Sequence, residues 1–152
     1  MNDKWFSRRT TRGVSFSVRR GEKFAILGDR FGVTCLIRTI MGFKRQISGS
    51  YRINGIANED FKKLYGIVGY QPHTNSIDEE LTVRQHLNLF VKLVGVPKNE
   101  REMTVAAVID DCLLTGTEDI EAGNMSHGML RRLTLAMALI GKPEFVVLDD
   151  PL

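Results

Sequence analysis

Short apolar segments and polar turns alternate through the first part of this chain of 152 residues. Residues 14–18 alternate apolar and polar side chains and residues 23–27 are mostly apolar, so both segments are predicted strands. Over residues 34–41 the apolar positions recur at helical spacing, and Gly42 suits the end of a helix. The pattern therefore predicts two strands, a glycine-bearing loop and a helix, in that order.

Three later segments are also predicted strands. Residues 50–53 lead into the turn Asn54-Gly55, and residues 64–70 stop before Pro72. Residues 145–148 are entirely apolar, and two aspartates follow them at once. Fully apolar strands of this kind suit a parallel sheet that is covered on both faces.

A block of three predicted helices precedes the last of these strands. Each begins after a residue whose side chain can cap a helix, namely Thr82, Asn99 and Ser126. The helices run to about residues 94, 114 and 140. The third is apolar almost all round, which predicts that it is buried. Strands, a helical block and a final apolar strand indicate an α/β fold with a helical insertion.

Composition narrows the class of protein. The net charge of +3 is mild, and the basic residues near the start are not interleaved with aromatic ones, so no nucleic-acid partner is predicted. Two cysteines, Cys35 and Cys112, are too few for a disulfide framework and favour a reducing compartment. No apolar run approaches the ~18 residues of a membrane-spanning helix, and the polar start is unlike a signal peptide. We therefore expect a globular domain with no membrane span in this chain.

A strand, a glycine loop and a helix in this order can hold phosphate groups through backbone N–H groups and the helix N-terminus. The pattern of such a loop is G-x-x-x-x-G-K-[ST]. The stretch GDRFGVT, from Gly28 to Thr34, is one residue short, with Gly32 as its last glycine and Val33 at the lysine position. Without a gap, Thr34 takes the lysine position and Cys35 the hydroxyl position. Neither alignment supplies the lysine, whose charge-assisted contact is worth ~1.5–3 kcal/mol.

Two neighbouring residues bear on the same loop. Phe31 adds bulk where slim residues would let the backbone wrap around a phosphate. Arg30 could stand in for the missing cation, a hypothesis that rests on its place in the loop. The loop therefore keeps the glycines and a hydroxyl of a phosphate site but has lost its usual charge.

Further segments occur in the order and near the spacing of the motifs of one family. Residues 69–73, GYQPH, and residues 124–129, NMSHGM, resemble the Q-loop and the signature motif of ABC ATPases. Residues 145–150 resemble Walker B, and residues 81–97 are similar to the helical subdomain of the A subfamily, the lipid exporters. The resemblance covers the chain from about Gly13.

This resemblance implies a P-loop NTPase core, with ATP and Mg²⁺ as cofactors and an ABC-type helical subdomain. Residues 1–75 and 142–152 would form the core sheet region, and residues 76–141 the helical subdomain. In the family a D-loop and a switch histidine follow Walker B. We therefore expect a domain that is incomplete at its C-terminus, with an exposed sheet edge.

Several functional positions of the family carry altered side chains here. Asp149 falls on the Walker B aspartate, which together with Thr34 would hold Mg²⁺. Asp150 falls on the catalytic glutamate but is one methylene shorter, and a displacement of that size can cost ~10²-fold in rate. His73 falls on the Q-loop glutamine, which in the family senses Mg²⁺ and moves with the membrane part of the transporter. We therefore expect weak or absent base function at Asp150.

The signature helix of the family reaches the ATP that a second ABC domain holds. Ser126 and Gly128 keep part of the anion-binding N-terminus of that helix, whereas His127 replaces a glycine. Ser126 could equally be a simple helix cap. Trp5, or its neighbour Phe6, lies near the position where the family stacks an aromatic ring on adenine, and a core or interface aromatic is the alternative.

The implied function is that of the ATP-binding domain of an ABC transporter at the cytosolic face of a membrane. Such a domain pairs head-to-tail with a second ABC domain and docks on a transmembrane subunit to drive transport, here of a lipid. The altered residues favour two alternatives, a nucleotide-poor docking module and a truncated remnant without a function of its own. In every case we expect little ATP hydrolysis by this chain alone.

Overall fold

The computed structural model describes residues 13–150, apart from the side chain of Phe61. The predicted adenine-stacking residue Trp5, and its neighbour Phe6, lie outside the described residues. The described residues fall into two compact units that divide between Tyr51 and Arg52. The predicted boundaries between a core sheet region and a helical subdomain stay a prediction.

The first unit begins with a turn and a pair of stacked rings. The two predicted strands before Gly28 are wrong, because neither segment forms a hydrogen-bonded strand. They are instead joined by a turn in which the Glu22 amide donates to the Arg19 carbonyl (3.1 Å). The rings of Phe16 and Phe24 stack with their centroids 5.0 Å apart. A strand requires a neighbouring strand to pair with, and here the alternating apolar positions produce an aromatic contact instead.

The helix of the first unit, α1, spans Arg30–Ile40. It begins before the predicted residue 34, because Asp29 caps it and the glycine-bearing loop is short. It ends at Ile40, and Gly42, the predicted C-terminal cap, follows with a φ of 70° and an amide that donates to the Thr39 carbonyl (3.0 Å). Glycine is suited to this left-handed C-terminal position, since it has no Cβ.

The second unit contains two pairs of strands. Strands β1 (Arg52–Ile53) and β2 (Ile56–Ala57) form an antiparallel hairpin around the predicted Asn54-Gly55 turn. Strands β3 (Val68–Gln71) and β4 (Phe145–Leu148) pair in parallel along their full lengths. The parallel pairing agrees with the predicted α/β class.

Strand β3 starts later than the predicted residue 64. Leu64 is buried and ends a 3₁₀-helical segment, Asn58–Leu64, that has a kink at Asp60. Gly66 then adopts a φ of 82°, a conformation that interrupts an extended chain. The apolar positions before Val68 therefore belong to a turn and not to the strand.

Helices α2 (Val83–Leu93) and α4 (His127–Leu139) begin at the predicted caps. Thr82 Oγ1 accepts from the Gln85 amide (3.2 Å), and Gln85 Oε1 accepts from the Thr82 amide (2.8 Å). This reciprocal pair is a capping box, which satisfies two amides that the helix itself leaves unbonded. The equivalent cap of α4 is Ser126.

Helix α3 spans Arg101–Asp111, and the prediction that Asn99 caps it is wrong. Asn99 lies inside a 3₁₀ turn, Lys98–Glu100, that follows Pro97, and the Glu100 amide donates to the Pro97 carbonyl (2.9 Å). The residue at the cap position is Glu100, which makes no side-chain cap bond. Backbone bonding in the turn replaces the side-chain cap.

The three helices of the second unit pack around one apolar core, and α4 is buried as predicted. The core includes Val83, Leu87, Val91, Val105, Val108, Ile109, Leu114, Leu133, Ala136 and Ile140. No helix among residues 13–150 combines the length and the apolar character that a membrane crossing would need.

Two leucines on α2 give a matched test of this core. Leu87 is 0% exposed and Leu89 is 44% exposed. We expect Leu87→Ala to lower the free energy of unfolding by about 2–5 kcal/mol, because it removes buried methyl groups and leaves a cavity. Leu89→Ala should cost less than ~1 kcal/mol. Urea unfolding of both variants measures the difference, and equal losses would contradict this packing.

Candidate functional site

The start of α1 contains the residues predicted to bind phosphate. Asp29 Oδ2 accepts from the Gly32 amide (3.2 Å), and the Asp29 carbonyl accepts from the Val33 amide (3.0 Å). Two amides that a phosphate loop would turn toward its ligand are therefore used inside the helix. The Asp29 carboxylate also takes the place at the helix N-terminus that the helix dipole makes favourable for an anion.

The neighbouring side chains do not restore a phosphate site. Val33, at the lysine position, is half-buried, and its Cγ2 would lie 3.4 Å from a Cβ added to Gly28. Phe31 is 61% exposed beside it. Cys35 lies one turn into the helix, where its Sγ is 3.2 Å from Lys44 Nζ. An internal carboxylate, two occupied amides and no lysine do not fit a bound triphosphate at this loop.

The ends of β3 and β4 bring the other predicted site residues together. Parallel strands place their carboxyl ends at the same edge of a sheet. The Asp149 amide donates to the Gln71 carbonyl (2.9 Å), so the hydrogen bonding to β3 continues one residue past β4. Asp149 is buried, while His73 and Asp150 meet at the surface, with His73 Nδ1 3.1 Å from Asp150 Oδ2.

This contact joins the side chains at the Q-loop glutamine and catalytic glutamate positions. Asp150 has a φ of 58°, a left-handed conformation that aspartate tolerates better than most residues. Asp149 belongs to the second unit and Thr34 to the first, so their predicted joint Mg²⁺ site stays a prediction. The arrangement within the second unit is a close His–Asp contact next to a buried aspartate.

Arg131 on α4 is a central residue of this site that the sequence did not single out. Its Nη1 donates to the Pro72 carbonyl (2.8 Å), the His73 carbonyl (3.2 Å) and Asn75 Oδ1 (3.2 Å). Its Nη2 donates to the carbonyls of Asp149 and Asp150. The sequence feature that could have identified Arg131 is a charged residue inside a helix that is otherwise predicted to be largely buried.

Gln71 completes the buried polar contacts between β3 and α4. Its Nε2 donates to the Arg131 carbonyl (2.9 Å) and to Thr134 Oγ1 (3.0 Å). Gln71 therefore points toward α4, whereas His73, two residues later, points toward Asp150. The glutamine present in this segment thus has a structural contact and does not take the Q-loop position.

The signature segment forms the first turn of α4. Ser126 Oγ accepts from the Met129 amide (3.3 Å), so its hydroxyl caps its own helix. His127 and Gly128 follow and are exposed. Whether this exposed turn acts on a second domain stays a prediction, since the cap alone accounts for Ser126.

Comparison with known proteins places this fold and these motifs in one class. The family model described as ABC transporter matches residues 11–152. ATP-binding cassette sub-family A member 9 of Mus musculus is 37% identical over 144 residues, which are 92% of this chain and 9% of that protein. The Nod factor export ATP-binding protein I of Burkholderia thailandensis is 33% identical over 91% of this chain and 46% of its own length.

A solved structure shows the same fold. The structure of cbiO1 from Clostridium perfringens, part of the ABC transporter complex cbiONQ, superposes with a TM-score of 0.75. The superposed region is 90% of this chain and 57% of the cbiO1 chain, and the sequence identity is 22%. The family match and this fold together define the class as an α/β P-loop NTPase domain of the ABC type.

This chain belongs to the ABC transporter family, and it corresponds to the family's ATP-binding domain. The predicted resemblance to the A subfamily is confirmed. The chain spans less than half the length of the curated relatives it matches. ATP with Mg²⁺ is the general ligand of the family, and what this chain itself binds depends on its own residues.

Two glycines provide a test of how the site is packed. A Cβ on Gly69 of β3 would clash with the Ala138 carbonyl oxygen of α4, whereas a Cβ on Gly128 would meet nothing within 4 Å. We expect Gly69→Ala to cost about 1–3 kcal/mol of stability, because the strand must move away from the helix. Gly128→Ala should be neutral or stabilising by up to ~1 kcal/mol. Thermal unfolding compares them, and a harmless Gly69→Ala would refute this close approach.

The two thiols should differ in reactivity. Burial raises the pKa of the Cys112 thiol, and the Asp111 carboxylate adds to the rise. The thiolate is the reactive form, so both burial and the raised pKa slow modification of Cys112. Cys35 is half-exposed. With iodoacetamide at neutral pH we expect Cys112 in Cys35→Ser to react at least ~10-fold more slowly than Cys35 in Cys112→Ala. Equal rates would contradict the burial of Cys112.

Proposed function

We propose that this chain is the non-hydrolysing member of a pair of ABC domains in a transporter. In this role its helical subdomain and signature helix serve the partner domain and a transmembrane subunit, while its own phosphate loop holds ATP poorly. The proposal combines the intact packing of the second unit with the altered chemistry of the predicted nucleotide-binding residues. Its location would be the cytosolic face of a membrane, through the transporter partner.

The observation that carries the proposal is the capture of the loop amides by Asp29. A nucleotide phosphate at this loop would have to displace the Asp29 carboxylate from the Gly32 amide, 3.2 Å away. It would also meet no lysine, since Val33 stands at that position. Loss of a charge-assisted contact of ~1.5–3 kcal/mol weakens binding by about 10- to 150-fold. Both effects act against ATP.

The contact between His73 and Asp150 supports the lack of hydrolysis. A carboxylate that activates water must be free to accept a proton from it. Asp150 Oδ2 lies 3.1 Å from His73 Nδ1, so this oxygen already has a polar neighbour within the chain. The aspartate is also shorter than the glutamate of the family. The pair therefore favours a structural role for both side chains.

The proposed partners and cargo come from the family and its relatives. We propose head-to-tail pairing with a second, nucleotide-competent ABC domain and docking on a transmembrane subunit. One relative, from Mus musculus, is named an ABC-type organic anion transporter, and the A-subfamily resemblance supports a lipid cargo. We therefore propose an amphipathic, lipid-like anion as the transported substrate.

Equilibrium binding of a fluorescent ATP analogue with Mg²⁺ tests the proposal. We expect no saturable binding to the folded wild-type chain below about millimolar nucleotide, given the lost lysine contact. Val33→Lys should bind the analogue more tightly than wild type does. The double variant Val33→Lys with Asp29→Ala should bind it at least ~10-fold more tightly than wild type. Asp29→Ala also removes a helix cap, so Thr82→Ala, which removes the cap of α2, is the matched control and should gain nothing.

The opposite result is equally specific. Tight binding to the wild-type chain that weakens in Asp149→Asn would mean that the nucleotide site works without its lysine, and the proposal would fail. Arg30→Ala would then test whether Arg30 supplies the missing charge. ATP turnover by the wild-type chain alone, lost in Asp150→Asn, would refute the non-hydrolysing role.

A further inference from the structure

We propose that Arg131 is a positioning residue that couples the signature helix to the Q-loop and to the end of Walker B, and so holds His73 against Asp150. Arg131 lies on α4, and the segments it binds follow β3 and β4. The use of this link by a second ABC domain rests on the proposed function, whereas the link itself does not.

The first support is the way one guanidinium spans two segments. Nη1 binds the segment after β3 through the carbonyls of Pro72 and His73. Nη2 binds the segment after β4 through the carbonyls of Asp149 and Asp150. Each arm of the planar fork thus holds one side of the His73–Asp150 contact. The guanidinium thus ties together the two backbone segments that carry these side chains.

The second support is burial. Arg131 is only 5% exposed, and a buried guanidinium requires hydrogen-bond acceptors around it. Arg131 Nε and Gln71 Oε1 are also buried and make no hydrogen bond in the described part of the chain. Such groups make a polar cluster a poor source of stability, since an apolar side chain would avoid their desolvation. A positioning role accounts for the retention of the arginine better than stability does.

The third support is that α4 connects the signature turn to Arg131. Ser126 caps the N-terminus of α4, and Arg131 lies further along the same helix. A shift of α4 therefore moves the guanidinium, and with it the backbone carbonyls of His73 and Asp150. The signature turn, exposed at one end of α4, is in this way connected to the His–Asp pair through one helix and one side chain.

The chemistry requires arginine in particular. A guanidinium has donors in a fixed fork that can bind separate acceptors with both terminal nitrogens. A lysine ammonium keeps the charge but is compact, and it cannot hold both segments in the same geometry. Arg132, the next residue, is exposed and only approaches the Leu113 carbonyl (3.4 Å), which makes it a matched control.

The experiment measures coupling between His73 and Asp150 without nucleotide. In the full chain, Asp150→Asn should change the NMR shift of the His73 imidazole, because the two side chains are in contact. We expect Arg131→Lys to reduce that change by at least about half, since the contact is no longer held. Arg132→Lys should leave it intact. Hydrogen exchange at residues 73–75 and 150 should rise by about 10-fold in Arg131→Lys, with α2 unchanged.

The outcomes separate positioning from plain stability. A folded Arg131→Lys in which Asp150→Asn still changes the His73 shift as in wild type would overturn the proposal. Uniform loss of protection in α2 and at residues 73–75 would also overturn it, because Arg131 would then only stabilise the fold. If Arg131→Lys does not fold, Arg131→Gln is measured in the same way, and failure of both to fold counts against positioning. None of these results depends on whether the chain binds ATP.

Discussion

The parallel pairing of β3 with β4 is the constraint on which the candidate site depends. It carries the chain from the end of β3 and the end of β4 to the same edge, where His73 meets Asp150 and Asp149 is buried. Gly69 allows α4 to pack closely against β3, because a side chain there would run into the Ala138 carbonyl. With the strand and the helix this close, Arg131 can reach both strand ends from α4.

The second unit therefore combines an apolar core between its helices with a row of polar contacts along the side of α4 that faces β3. Leu133 and Ala136 face the apolar core and are fully buried, while Arg131 and Thr134 face β3. One helix thus serves two environments. Its apolar side contributes the burial free energy, and its polar side fixes the loops after β3 and β4. The residues of α4 differ from those of the predicted phosphate loop, so a change in the chemistry of the loop does not require a change in the helix.

The features that the sequence predicted correctly are mostly those that depend on residues close together along the chain. Thr82, Ser126 and Gly42 lie at helix ends as predicted, because caps depend on a few neighbouring residues. The strands before Gly28 were wrong because pairing depends on a distant partner that periodicity does not reveal. The start of α1 was missed because an aspartate beside a short loop can cap the helix or flank a phosphate, and the sequence favours neither. The contacts of Arg131 join residues far apart along the chain, so only the fold could bring them together.

At the start of α1, the free energy of the Asp29 cap can be compared with that of the missing lysine contact. An N-cap such as Asp29 is worth ~1 kcal/mol, or about a fivefold effect on an equilibrium. The Asp29 cap therefore adds ~1 kcal/mol to the free energy that a phosphate must supply to bind at this loop. The missing lysine removes ~1.5–3 kcal/mol, and the remaining carboxylate repels the incoming anion where the lysine would have attracted it. At this end of the helix, position 33 lacks the cation of the usual loop and position 29 carries an anion, and both differences act against a phosphate. Neither Asp29 nor Val33 belongs to the apolar core of the second unit.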